Sequence, residues 1–298
     1  MNAQHALAGT IGMRREQGIH LAVALVTLTV ASLLMWPLWS VLSQGASVLS
    51  LEFVTTAPAN AGRAGGIAPI LASTGLIVTL SLATALPLAF STAVLLHECL
   101  APSHPLAVVV RGSLDALAGV PSIVFGLFGV SLFCRQLGLG YSIAAGGLTL
   151  GCMVLPTLAR VFSSAFEALG DQHRVAAAAL GLSRATTLWR VTLPLALPAL
   201  SAGIVLALGR ALAETALLLF TSGYADRTPT SLLDSGRSVS VHIYELATNV
   251  PGGVPFAYGS ALVLLLLLAA LSVAMHAITK RMQRRLTGSR IELEPNRP

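Results

Sequence analysis

Arg210 and Glu214 stand four residues apart in the stretch GRALAETALLLFTSG, 209–223, which is otherwise uncharged. On an unbroken helix that spacing puts a guanidinium and a carboxylate on one face. Such a pair has two uses. It can neutralise itself as a structural ion pair. Alternatively, the arginine can offer its planar fork to a tetrahedral oxyanion, bonding two oxygens at once, while the carboxylate orients it.

A second group of residues acts through the backbone. Val120-Pro121-Ser122 is followed by Gly126 and Gly129. One reading is a kinked helix whose small residues let neighbours approach closely. The other is a break at Pro121 that frees backbone groups next to Ser122 to line a path. Asp115 follows Arg111 by four and reads as a helix-surface pair. The chain has no HExxH, GxSxG or Walker-type loop, so no residue is expected to be catalytic. Cys99, Cys134 and Cys152 have no CxxC spacing and read as buried free thiols. With no Cys/His cluster, neither a metal nor any other cofactor is expected. His242 lies in SVSVHIYELA, 238–247, without a second ligand-type side chain at metal spacing, and reads as an interfacial residue beside a short helix or re-entrant segment.

The elements that hold these residues must be apolar. Hydrophobic residues make up 55% of the 298, charged ones 10%, and mean hydropathy is +0.80. A soluble domain carries about 25% charged residues, so this composition belongs to a membrane protein surrounded by lipid. The net charge of +6 rests on scattered arginines, with Lys280 the only lysine. Lacking a basic stripe with interleaved aromatics, it excludes nucleic-acid binding and reads as topology.

A crossing helix needs about 20 residues. Uncharged stretches of that order cover 21–42, 70–96, 136–159 and 254–279. Two more spans carry charge: one between Arg111 and Arg135, containing Asp115, and one starting near Val191, containing Arg210 and Glu214. That makes six. The first has too long an apolar run for a signal peptide and is expected to stay as an anchor. Arg210 lies about 22 Å beyond Leu195 at about 1.5 Å per residue, inside the bilayer. A charge there costs roughly 2.5–3.5 kcal/mol and calls for a partner or a water-filled cavity.

Thirteen basic residues fall on the side of the termini and the longest connection: Arg14, Arg15, Arg111, the group from Arg160 to Arg190, and the tail from Lys280 to Arg297. Four fall opposite: Arg63, Arg135, Arg227 and Arg237. The excess puts both termini in the cytoplasm. The first outside loop, 43–69, is Gly/Ala-rich and carries no signal; the last, 222–253, is longer.

The longest cytoplasmic connection, 160–194, contains VAAAALGLSRATTLWRVTLP, 175–194. Alanines favour a helix, Gly181 permits a turn, and Ser183 can cap a second short helix running into Trp189. Here the residues resemble a family. Val175-Ala176-Ala177, Gly181 after three residues, and Val191-Thr192-Leu193-Pro194 after nine more keep every spacing of the EAA loop of bacterial ABC-importer permeases. Val175 stands where that family often has Glu. The stretches LAGVPSIVFGLFG (117–129), GRALAETALLLFTSG and SVHIYELA (240–247) are similar to phosphate-import permeases of the PstA-like kind, over about Ile70 to Lys280.

The resemblance implies an all-α integral membrane protein of the bacterial inner membrane, six transmembrane helices in the MetI-like ABC importer permease fold. Residues 1–69 would hold the tail, first helix and outer loop; 70–280 the permease core; and 281–298 a cytoplasmic tail. It implies that Ala176, Ala177, Gly181, Leu193 and Pro194 belong to a coupling loop docking on an ATPase. Arg210 and Glu214 match a charged pair of the family, to be set on the translocation path with Pro121 and Ser122. The implied partners are a PstC-like permease subunit, a PstB-like ATPase dimer that hydrolyses the ATP, a PstS-like phosphate-binding protein outside, phosphate and membrane lipid. The alternative cargo is another oxyanion: molybdate, tungstate or a phosphonate.

Overall fold

The computed structural model describes residues 2–101 and 103–286, with side chains described over 19–282. Helix α1 (Asn2–Gly45) is followed by α2 (Leu51–Thr55), the paired strands β1 (Pro58–Ala59) and β2 (Ala64–Gly65), and α3 (Ala68–Val94), which runs on through a wide turn to Cys99. Next come α4 (Pro105–Ala118), α5 (Ser122–Gly129, continuing to Gln136), α6 (Ile143–Glu167) and α7 (Gln172–Ala179). Helix α8 (Arg184–Thr187) passes through a wide turn into α9 (Leu193–Ala213). Then follow α10 (Ala216–Thr221), α11 (Val239–Thr248) and α12 (Val254–Leu286). Residues 287–298 of the expected tail, with Arg290 and Arg297, lie outside the described residues; so do the side chains of Arg14 and Arg15 in α1.

Local chemistry places the helix starts. Ser50, Ser142, Ser183 and Ser238 each precede a helix and accept from the amide three residues on, which satisfies one of the end N–H groups. Proline enters where its missing N–H costs least, at Pro69 and Pro105 in first turns.

Among the described residues, five helical stretches are long and apolar enough to cross a membrane; a sixth crossing exists if the bent pair α4–α5 counts as one. The third expected span is therefore corrected. It is not one helix from Arg111 to Arg135 but two helices bent by 99° around Gly119-Val120-Pro121. Proline cannot donate the next helical bond, and its preceding residue avoids the α region. The fourth crossing is Ile143–Glu167 rather than 136–159, and includes Arg160; the fifth starts at Arg184 rather than near Val191. In both cases an arginine inside the helix, Arg160 and Arg190, had marked the boundary.

Helix α6 is the centre. Its Leu150, Val154, Leu158 and Ala159 are fully buried among α3, α4, α5 and α9. Gly147 and Gly151 bring α3 close: a Cβ on Gly151 would sit 2.5 Å from Thr84 Oγ1. Small residues at such seams let lipid-embedded helices gain dispersion contact, since lipid offers no hydrophobic drive between them. Helix α1 packs along α12, and the stretch from Ile19 to Gly45 has no buried residue in its most apolar window.

The two ends of α6 separate the basic residues. At its start, Ser142, Ile143 and Ala144 donate their N–H groups to Thr221, Asp234 and Leu232, so the 222–238 loop sits there. Arg135, Arg227 and Arg237 belong to that end, with Arg63 beside Gly62, which abuts His242. At its other end, Arg160 pairs with Asp115 and Glu167 approaches His97. The loop 43–69, expected outside and uninformative in sequence, is ordered: Asn60 and Ala61 take positive φ (49° and 59°) to close the small hairpin.

Candidate functional site

Helix α9 carries Arg210 at its end, and the helix stops at Ala213. Glu214 turns extended (φ −70°, ψ 123°), and its Oε1 accepts from the Leu217 N–H at 3.2 Å, capping α10. The expected helical pair is thus overturned. No ion pair joins Arg210 to Glu214 among the described residues, because the break between them removes the shared face and the α10 amides claim the carboxylate. Arg210 is exposed and Glu214 half-buried.

The second break lies at Pro121. Ser122 is half-buried at the start of α5, and Pro121 is exposed. Gly126 meets Leu217 and Phe220 of α10, and Gly129 meets Thr149 of α6. The chain breaks at the proline, and the glycines then let the short helix α5 pack on α10 and α6. Two discontinuous helices packed together bring helix ends into the body of the chain, which in a membrane protein is tolerated where they line protein or water.

The 160–194 connection differs in detail from two short helices. Helix α7 closes with the Leu182 N–H on Ala177 O (3.0 Å) and the Gly181 N–H on Ala178 O (3.0 Å), a Schellman turn with Gly181 at φ +72°. Ser183 then caps a helix that does not stop at Trp189 but continues to Ala213. Ala177 is buried and Ala176 exposed, so α7 lies on the body with one face out. That outer face is apolar: Val175 is 67% and Leu180 78% exposed. Leu193 and Pro194 are half-buried in the first turn of α9.

Sequence reasoning missed what fastens α7. Glu98, at the end of the second crossing, has only 9% of its side chain exposed; Arg174 reaches its Oε1 with Nε at 3.2 Å and Nη2 at 3.1 Å, and sends Nη1 to Asp171 at 3.0 Å. A carboxylate at a helix C-terminus opposes the helix dipole, so a cation must hold it there. Beside it, His97 Nε2 lies 3.7 Å from Glu167. The available signal was a Glu directly ending a long uncharged run. We expect Glu98→Arg and Arg174→Glu each to cut the transport that the resemblance implies about tenfold, while the double exchange recovers most of it. Breaking a partly buried pair strands one charge, whereas swapping both strands neither. Equal loss in the double variant would make the contact incidental.

Three other readings change. Asp115 pairs with Arg160 of α6, not with Arg111. Cys99 is exposed rather than buried, Cys134 buried, and Cys152 between. His242 is not interfacial but 1% exposed, 3.3 Å from Arg237 through Nδ1. Burial, and then the Arg237 guanidinium, push its pKa down to about 4. A free imidazole takes its proton at about 6.5, so the folded segment around α11 is favoured at neutral pH and loses stability as pH falls through this interval. At pH 5 the loss is about 2 kcal/mol. Amide exchange over 239–248, corrected for intrinsic rates, should accelerate at pH 5, and His242→Gln should abolish that acceleration. Equal acceleration in the variant would assign it to another group.

Residues 85–288 match the family model described as binding-protein-dependent transport system inner membrane component. The protein named "Probable ABC transporter permease protein YqgI" of Bacillus subtilis (strain 168) is 29% identical over 264 residues, covering 84% of this chain and 90% of that protein. The "Phosphate transport system permease protein PstA" of Mycobacterium leprae (strain TN) is 32% identical over 229 residues, 76% of this chain and 75% of that one. A solved inward-facing structure of the MetNI methionine ABC transporter superposes with a TM-score of 0.51 at 15% identity, covering 74% of this chain and 94% of that one; the likeness is one of fold.

Proposed function

Since the chain belongs to the binding-protein-dependent transport system inner membrane components, as an ABC importer permease subunit that hydrolyses no ATP itself, we propose that it passes inorganic phosphate into the cell. The observation that carries this reading is Arg210: a guanidinium on a crossing helix, exposed on the subunit surface, with no carboxylate bound to it among the described residues. Such a group needs a partner when the membrane surrounds it, and an oxyanion meets its donors two at a time. Pro121, Ser122 and Glu214, at the two helix breaks, complete the path with Arg210. The relatives named for phosphate transport favour phosphate over other oxyanions.

A PstC-like subunit would close the path from the opposite side. A PstB-like ATPase dimer would receive α7 and Gly181, whose exposed Val175 and Leu180 suit an apolar groove. A PstS-like binding protein would dock over the hairpin and 222–253. Both termini are then cytoplasmic, as the arginine excess demands: reporters fused at Arg63 and Arg237 read outside, and one fused at Arg184 reads inside. The deciding experiment is labelled phosphate uptake by the assembled complex, with molybdate, tungstate and a phosphonate as competitors. Uptake that ignores a hundredfold excess of each supports phosphate. Uptake of a competitor in preference would reassign the cargo to that oxyanion.

A further inference from the structure

The break after α9 is fastened from outside by a chain of buried hydroxyls. In an unbroken helix the Glu214 carbonyl would take the Leu218 N–H. Here it accepts from Ser240 Oγ of α11 at 2.5 Å. Ser240 Oγ also lies 2.9 Å from Ser238 Oγ. A hydroxyl has one proton, and a carbonyl has none to give. The Ser240 proton therefore goes to Glu214, and Ser238 must donate to Ser240. Ser238 in turn accepts the Val241 N–H at 3.2 Å as the cap of α11. The next amide, Val239 N–H, donates to Thr74 Oγ1 of α3 at 2.9 Å, and Thr74 donates to Ile70 O.

All three hydroxyl-bearing residues are buried: Thr74 at 2%, Ser238 at 1% and Ser240 at 6% exposure. Each is satisfied, and the polarity admits no reversal. Burying so many polar groups costs free energy unless every partner is met, so the chain defines one position of α11 against the break. The far side of the same helix packs under the small hairpin of β1 and β2. His242 and Leu246 abut Gly62 of the small outer hairpin, so closely that a Cβ there would lie 3.0 Å from each. Helix α11 thus touches the outer hairpin with one set of residues and the carbonyl of Glu214 with another.

We propose that Ser240 is a positioning residue of the permease. Through its bond to the Glu214 carbonyl, α11 carries the docking of the binding protein on the outer face to the break beside Arg210. Arg210 and Glu214 are separated only by that final helical turn, so a shift of α11 moves the ground on which the arginine stands. The inference rests on the reading that the binding protein docks over the hairpin and 222–253.

The test uses the full complex of both permease subunits and the ATPase in lipid nanodiscs, with and without loaded binding protein. The readout is ATP hydrolysis, so it stands whichever anion is carried. If docking fails to stimulate hydrolysis in the wild type, the docking reading itself falls. Given stimulation, Ser240→Ala is expected to lower the ratio of stimulated to basal hydrolysis by about fivefold or more, the low end of coupling between linked sites. Ser240→Thr keeps the donor and should keep the ratio. If the alanine variant does not assemble, Ser240→Cys, of nearly the same size but a weak donor, reads the same ratio. An unchanged ratio in the assembled alanine or cysteine variant overturns the proposal. So does an equal loss in Ser240→Thr, which would make packing rather than the hydrogen bond responsible.

Discussion

Arg210→Ala is expected to cut anion uptake by roughly 30- to 150-fold, with the complex still present in the membrane at normal abundance. The figure follows from losing a charge-assisted contact of about 2–3 kcal/mol, at about 1.4 kcal/mol per tenfold. Arg210→Lys keeps the charge but not the planar fork and should lose about tenfold. A self-neutralising helical pair, the structural reading of the spacing, would make removal of Arg210 and Glu214 together nearly harmless. The break at Glu214 changes that expectation: the carboxylate caps α10 while the arginine faces outward. The Arg210→Leu, Glu214→Leu double variant should be no better than Arg210→Leu alone. Glu214→Gln, which keeps an oxygen for the Leu217 N–H, should be far milder than Glu214→Leu. Uptake per complex decides: a double variant near wild type would restore the structural pair and remove Arg210 from the path.

The next largest effect is expected at Gly181. Its φ of +72° is the left-handed region, which costs an L-residue roughly 1–2 kcal/mol. No neighbour lies within 4 Å of where a Cβ would stand, so side-chain volume is not the issue. The effects should therefore follow backbone preference rather than size. Asn, which enters this region readily, should be nearly silent. Ala should cost about fivefold in coupled transport and Val about thirtyfold, from strain alone at about 1.4 kcal/mol per tenfold. Asp should fall between Asn and Val. Membrane insertion should be unaffected, since α7 lies outside the crossing helices. ATP hydrolysis measured alongside uptake separates uncoupling from misfolding. A Val variant transporting at the wild-type rate would reduce the loop to a connector.

Residues with a periodic or covalent constraint were legible in the sequence. The apolar runs announced the crossings, since about 20 residues without charge have no other stable home. Gly181 and Ser183 announced a turn and a cap because few residue types do those jobs. The matched spacing of Ala176, Ala177, Gly181, Leu193 and Pro194 pointed to the family that the comparisons establish. Where an arginine falls within a crossing helix, as at Arg160 and Arg190, hydropathy set the boundary inside the helix. A long side chain at the membrane boundary can place its charge in water or on a neighbour while its backbone stays helical.

What the sequence by itself determined is therefore local: which stretches are apolar, and which residues start and stop helices. The partners of the polar side chains were decided by the tertiary structure alone. Arg210 and Glu214, four apart, do not pair. Asp115 and Arg160, 45 apart, do, as do Glu98 and Arg174, 76 apart. Ser240 reaches back 26 residues to Glu214, and the amide of Val239 reaches back 165 to Thr74. Spacing predicts a contact only while the helix between two residues is unbroken. At Pro121 and Glu214 it is broken, and from there the low dielectric of the interior sets the rule: each buried polar group must find a partner, whichever element the packing brings within reach.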